Sequence, residues 1–382
     1  VRLRTRVCDL LGIDVPVVLA GMGEAATPRL AAAVSEAGGL GVLGAANCSP
    51  ARLRRWIRET RALTDRPFGV DTILPASLGR RGRPESQRGV GPPPSERLPE
   101  ARKFARAFME REGLAMPSRE AMARHAGLDP SDVAGPPPLT REFFEAQLEV
   151  VLEERVPVYA AGLGNPGAWV ERLHANGTRV IAVVGTLRHV RQVVEAGVDV
   201  VVAQGHEGGG HNAPIGTLAL VPQVVDAAGG LPVLAAGGIG DGRGLAAALA
   251  LGAEGAWVGT AFLATEESGI PAFQKRALVE GDASSTAVSR CMTGKPVRLL
   301  RGKWVSAWEE SGLEALPMPF QPIVAAPVST AACLAERADV DPGIAGQGVG
   351  LVREVRPASA VLRDLVEGAE RALRAAAAGL NP

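Results

Sequence analysis

The sequence predicts an α/β fold, a (β/α)8 TIM barrel with a long insertion after the third strand and a mostly helical C-terminal extension. Three observations carry that prediction. Eight short apolar runs alternate with stretches of helical length, the pattern of a parallel sheet wrapped by helices. The runs are rich in Val, Ile, Leu and Ala, as strands buried on both faces are. The unusual residues, glycine pairs and two of the five histidines, fall just past the carboxyl ends of runs, the face on which barrels build their sites. A doubly wound open sheet is the alternative, but no GxGxxG follows the first strand.

In order, the strands read as Val15–Ala20, Leu40–Leu43, Phe68–Ile73, Val156–Ala160, Val180–Val184, Val198–Ala203, Leu231–Ala236 and Gly255–Val258. Helical patterns separate them at Pro28–Ala37, Ala51–Leu63, Arg141–Glu154, Pro166–Asn176, Leu187–Ala196, Thr217–Ala228 and Gly242–Leu251. Residues 1–270 are read as the barrel and 271–382 as an extension packed on it, with helices at Pro271–Glu280, Thr330–Arg337 and Ala358–Ala377. The insertion, Pro75–Leu139, is rich in Pro, Gly and Arg and holds candidate helices at Glu100–Glu112 and Ser118–His125. It is too long for an ordinary barrel loop and leaves from the catalytic face. A lid, a decoration and an oligomer contact are the readings open for it. The proline runs Pro92–Pro94 and Pro136–Pro138 read as stiff hinges.

The stretch Val198–Thr265 organises the rest. Gly237-Gly238 and Gly259-Thr260 end neighbouring strands, and a residue without Cβ lets backbone amides approach a ligand closely. Barrels commonly place a phosphate site after strands seven and eight. The plainer account, that these glycines only make tight turns, holds better for one pair than for two in consecutive loops.

Composition bounds the function. Lys plus Arg and Asp plus Glu both number 41, which argues against a nucleic-acid footprint. At 46% hydrophobic and 21% charged the chain is an ordinary globular one. Lysine occurs only at 103, 275, 295 and 303, the other cations being arginine. Cys8, Cys48, Cys291 and Cys333 are scattered with no CxxC pair, so neither a disulfide framework nor a zinc site is expected, and a reduced cytoplasmic setting is. The apolar start carries Asp9 and Asp14 and reads as a barrel strand rather than a signal peptide. No membrane span is expected, since Gly244–Ala264 breaks into a helix and a strand. A homo-oligomer is left open.

His206 and His211 lie in one loop, QGHEGGGH, five residues apart with three glycines between. That is not the HExxH helix of a zinc protease, no third ligand is apparent, and no metal is expected. QGHEGGGH, AAGGIGDGRG and WVGTAFLATEES, in this order and spacing, resemble the nitronate monooxygenase family, formerly 2-nitropropane dioxygenases. The resemblance covers about 1–75 and 140–270, and more weakly the C-terminal end around Gly346–Gly350. It implies an FMN-binding TIM barrel related to FMN-dependent enoyl-acyl-carrier-protein reductases and NADH:quinone reductases. By residue, it implies His211 as the active-site histidine, and FMN contacts at Gly21 and Met22 in the first loop, Gln204, Gly208 and Gly209. Phe68–Asp71 matches a stretch that more often reads FGVN, so Asp71 is a departure at a cofactor position. Val183 is another, where some members carry Lys.

The activity the resemblance implies first is oxidation of alkyl nitronates with O2 to a carbonyl compound and nitrite. NAD(P)H-dependent reduction of an enoyl thioester or a quinone is the alternative. Histidine, with an ordinary pKa near 6.5, suits α-proton removal from a neutral nitroalkane, and equally suits orienting or protonating an acceptor. The residue does not choose between the activities. The expected cofactor contacts are completed by Gly237, Gly238, Gly259 and Thr260 around the phosphate.

Overall fold

The computed structural model describes residues 3–74, 93–128 and 140–379. Among them the strands run, in chain order, β1 (Val17–Leu19), β2 (Gly41–Gly44), β3 (Phe68–Leu74), β4 (Val158–Gly164), β5 (Arg179–Val184), β6 (Val200–Gln204), β7 (Gly210–His211), β8 (Val233–Ala236), β9 (Gly255–Val258), β10 (Thr286–Ser289) and β11 (Val297–Leu300). Eight of these form one parallel sheet in the order β1-β9-β8-β6-β5-β4-β3-β2. Its two ends meet, for Leu19 N–H donates to the Leu40 carbonyl (2.9 Å) and Leu40 N–H to that of Val17 (3.0 Å). The ring closes through these bonds, and the open-sheet alternative falls away. All eight expected strands are present, with ends shifted by no more than four residues.

Alternation along the strands makes two cores. Val18, Val158, Ala160, Ile181, Val200, Val202, Leu234 and Trp257 face inward. Helix Arg6–Leu11 adds Val7, Cys8 and Leu11 to this inner cluster and is fastened at the amino end of β9, where Thr5 Oγ1 donates to the Glu254 carbonyl (2.5 Å). Val17, Leu19, Tyr159, Ala182, Val201, Val233 and Ala256 face the helices instead. By this alternation Asp71, Val183 and Gln204 belong to the inward set near the carboxyl end. Val183 packs on the inner core, so an apolar side chain is at home there.

The last helix, Ala358–Ala378, packs against Gly242–Ala250 and Pro28–Glu36 and adds Val361, Leu362 and Leu365 to the barrel's outer core. The approach is close, since a Cβ built on Gly242 would lie 2.3 Å from Ala369 N. The region from 271 onward is mostly helical, as expected, and it also holds strands that the sequence did not reveal. β10 and β11 pair antiparallel, and β11 pairs with β7, making a second, three-stranded sheet. These strands are four residues each and carry Thr, Ser and Arg, too short and too polar to register as apolar runs. The helix expected at Thr330–Arg337 runs Phe320–Leu334, its N-terminal part disguised by Pro322 and Pro327.

Within the insertion, helices Pro94–Arg111 and Arg119–His125 are present, whereas residues 75–92 and 129–139, with the run Pro136–Pro138 and the first residue of Pro92–Pro94, lie outside the described residues. The longer helix joins a separate core with Val297, Leu299, Trp304, Trp308 and Val328. Phe108 meets Trp304 edge-on at 5.2 Å, and Phe104 meets Trp308 at 5.8 Å. Among the described residues no helix is long and apolar enough to cross a membrane.

Candidate active site

The carboxyl end of the barrel gathers the expected residues. Asp71, at 8% exposure, points inward from β3, and its Oδ1 accepts the Gly162 N–H (2.8 Å). Cβ atoms built on Gly21 and Gly162 would lie 2.1 and 2.6 Å from its carboxylate oxygens. The glycine at 21 is therefore required by Asp71, a neighbour within the protein. Burial pushes the Asp71 carboxyl well above the usual carboxylate range, with only the Gly162 amide opposing. A neutral carboxyl offers one acceptor and one donor, the same pair an asparagine amide offers at this position. Met22 reaches across to the loop after β9, where a Cβ on Gly259 would sit 3.1 Å from its sulfur.

The histidine loop is pinned from several sides. Gln204 Nε2 donates to the His211 carbonyl (2.7 Å), and His211 pairs with Val297 across β7 and β11. His211 Nε2 shares a 3.0 Å hydrogen bond with Thr293 Oγ1. Burial first, and the charge of Lys295 second, push the His211 imidazole down to about 4, so it is neutral at physiological pH. His206 is a structural pin. Its Nδ1 lies 3.0 Å from the Ala213 carbonyl, which only accepts, so the proton sits on Nδ1. Its own carbonyl accepts from Arg298 Nε (3.0 Å) and Asn212 Nδ2 (3.1 Å). Arg298, 4% exposed, also donates to Thr286 Oγ1 (2.9 Å), tying the loop to β10.

Around the glycine pairs, Gly237 and Gly238 have φ of +98° and +75°, a left-handed run that favours glycine. A Cβ on Gly237 would also meet Gly208 N and Thr217 Oγ1 at 3.0 Å. Two helix ends nearby are already capped by carboxylates. Glu207 accepts from Thr217 N (2.9 Å) and Oγ1 (2.9 Å), and Asp241 accepts from Arg243 N (2.9 Å). The segment Gly346–Gly350 completes the cradle. Gly346 N–H donates to Thr260 Oγ1 (2.9 Å), and Gln347 N–H donates to the Glu207 carbonyl (2.9 Å). A Cβ on Gly209 would lie 2.8 Å from Gly346 N. What the three loops present to each other is thus glycine backbone, a surface that fits the phosphate of a bound FMN, with Asp71, Gln204 and Met22 on the barrel side of it.

A profile of the family described as nitronate monooxygenase matches residues 4–87 and 96–368. The chain belongs to the nitronate monooxygenase family. It is accordingly an oxidoreductase. The nitronate monooxygenase of Pseudomonas aeruginosa is 36% identical over 385 residues, covering 95% of this chain and 98% of that one. Among solved structures, the nitroalkane oxidase of Streptomyces ansochromogenes superposes with a TM-score of 0.78 at 34% identity, over 97% of this chain and 99% of that one. FabK of Thermotoga maritima follows at 0.75 and 32%, over 99% and 100%.

In this family member the sequence reading missed Thr293, Lys295, Arg298 and Gly162, and left the contacts of Gly346–Gly350 open. Thr293 and Lys295 stand more than 80 residues from His211, and the β7–β11 pairing that joins them has no periodic signal. The one available hint was a lysine in a chain whose cations are nearly all arginine.

Proposed function

We propose that the protein binds one FMN at the carboxyl end of the barrel and oxidises alkyl nitronates with O2, releasing a carbonyl compound and nitrite. The observation that supports this best is His211, whose carbonyl accepts from Gln204 and whose neutral imidazole bonds Thr293 at the barrel mouth, with a cation beside it. Bound FMN would supply the electron-accepting chemistry and the reaction with O2. The chain's own residues do the rest. Gly237, Gly238, Gly259, Thr260 and Gly346–Gly350 hold the phosphate by backbone. Asp71, Gln204 and Met22 meet the ring, and Gly208 and Gly209 set the histidine loop against Gly346. His211, uncharged, takes the α-proton when the substrate arrives as a neutral nitroalkane. A nitronate arrives without that proton and needs only to be held.

The likeness to FabK over almost the whole chain favours a second reading, NAD(P)H-dependent reduction of an enoyl thioester or a quinone. The purified protein's absorption spectrum tests the cofactor, and O2 uptake with an alkyl nitronate against aerobic NAD(P)H oxidation tests the activity. A yellow protein whose O2 uptake depends on nitronate is the expected result. NAD(P)H consumption that requires an enoyl thioester or quinone would replace the first reading by the second. A colourless protein would overturn both.

A further inference from the structure

We infer that Lys295 is the anion anchor of this site, its ammonium holding the negatively charged oxygens of the substrate beside His211. The identity of that substrate as a nitronate rests on the reading above; the anchor rests on the following geometry.

Lys295 lies in the turn that enters β11. One hydroxyl organises the turn: Thr293 Oγ1 accepts the Lys295 N–H (3.3 Å) and bonds His211 Nε2 (3.0 Å). The lysine and the histidine are thus fixed to the same short segment, which the β7–β11 register holds at the barrel mouth. The charge of Lys295 reaches the imidazole strongly enough to lower its proton affinity.

The second observation is charge balance. Lys303 pairs with Glu112 (3.1 Å) and Asp339 (2.8 Å), as an exposed cation in this protein usually does. Lys295 is half-buried, and among the described residues its ammonium makes no ion pair and no hydrogen bond. Burial alone acts on its pKa, downward, with no acid opposing. Holding a cation partly out of water without a counter-charge is unfavourable, and an arriving anion removes that penalty. The neighbouring basic group does not compete, because His211 is neutral. Arg298 does not either, since its Nε is given to the His206 carbonyl and another guanidinium nitrogen to Thr286.

The chemistry matches a small, oxygen-rich anion. An ammonium is a compact point charge with three donors on a flexible stem, so it follows an oxygen pair without demanding the planar fork an arginine would impose. A nitronate carries its negative charge largely on two oxygens, and nitrite, the expected product, has the same pair.

The test uses the flavin-loaded protein with nitrite as the probe, and the variants Lys295→Met and Lys295→Arg, each checked for unchanged near-ultraviolet circular dichroism. A hydrogen bond to a charged group supports a loss of about 10- to 100-fold. Lys295→Met is expected to weaken nitrite binding by calorimetry by that factor, and to lower the ratio of kcat/KM for a nitronate to that for its neutral nitroalkane by a similar one. Lys295→Arg should recover most of both. An unchanged nitrite affinity in Lys295→Met, or an unchanged ratio, would overturn the anchor. Nitrite binding that depends on Lys295 in a protein that does not turn over nitronates would sink the proposed activity and leave the anchor standing.

Discussion

His211 and Asp71 are both titratable groups whose neutral form burial favours, one by lowering a pKa and one by raising it. For His211 the consequence is a base usable well below the normal histidine range. With a neutral nitroalkane, kcat/KM is expected to stay level from pH 8 to about 5 and to fall only as the imidazole approaches its value of about 4. A fall centred near 6.5 would show that the buried environment is lost in solution. His211→Asn should cost roughly 10²- to 10⁴-fold on the neutral substrate, the span of a general base. On the pre-ionised nitronate the loss should be much smaller. Equal losses would make His211 a positioning residue. Asp71 works on stability. Its carboxyl keeps its proton to higher pH in the folded chain than in the unfolded one, so folding takes up a proton between those two pKa values. Stability therefore declines as pH rises from the ordinary carboxylate range toward the raised folded value. Asp71→Asn keeps a carbonyl for the Gly162 N–H and removes that pH dependence. Its melting temperature should exceed the wild type's by more at pH 8 than at pH 5, and an equal shift at both would refute the raised pKa of Asp71.

At the level of elements, the eight barrel strands were legible because each is a short apolar run bounded by glycine or proline, and because their helices alternate with them in steady order. Most of the candidate site was legible for the same reason, as it lies in loops directly after those strands. What could not be read is what the chain brings back from far away. β10, β11 and Gly346–Gly350 have no amphipathic period, and their role exists only through the pairing of Val297 with His211 and the bond from Gly346 to Thr260. The glycines were legible as special, and the structure adds a packing reason for two of them. Gly21 makes room for Asp71, and Gly209 makes room for Ala345 and Gly346, so each is explained by protein atoms. The same logic gives an element-level prediction at the crossing of Gly242–Ala250 with Ala358–Ala378. Gly242→Val would drive a side chain into the Gly368–Ala369 backbone and should destabilise by about 1–3 kcal/mol, the usual range for overpacking. Chemical denaturation measures it, and a change below about 0.5 kcal/mol would show that the helices separate at little cost.

Over the whole molecule, the barrel's two cores are supplemented by a separate aromatic one. The insertion helix Pro94–Arg111 covers Trp304 and Trp308, and ion pairs from Arg337 and Lys303 to Glu112 fasten its end. Removing residues 93–128 is therefore expected to expose that aromatic cluster, with increased binding of a hydrophobic dye and a lower unfolding temperature. Wild-type dye binding and stability after the deletion would show that the separate core closes without the insertion, and would return the segment to the role of a lid or an oligomer contact. The return of Gly346–Gly350 to the histidine loop has a further consequence during synthesis. A ribosome has made every barrel strand by Val258, yet the cradle over Gly209 and Thr260 waits for a segment nearly ninety residues further on. A nascent chain arrested before that point should have an open mouth, so capture of the proposed FMN would belong to the last moments of translation or to the released chain.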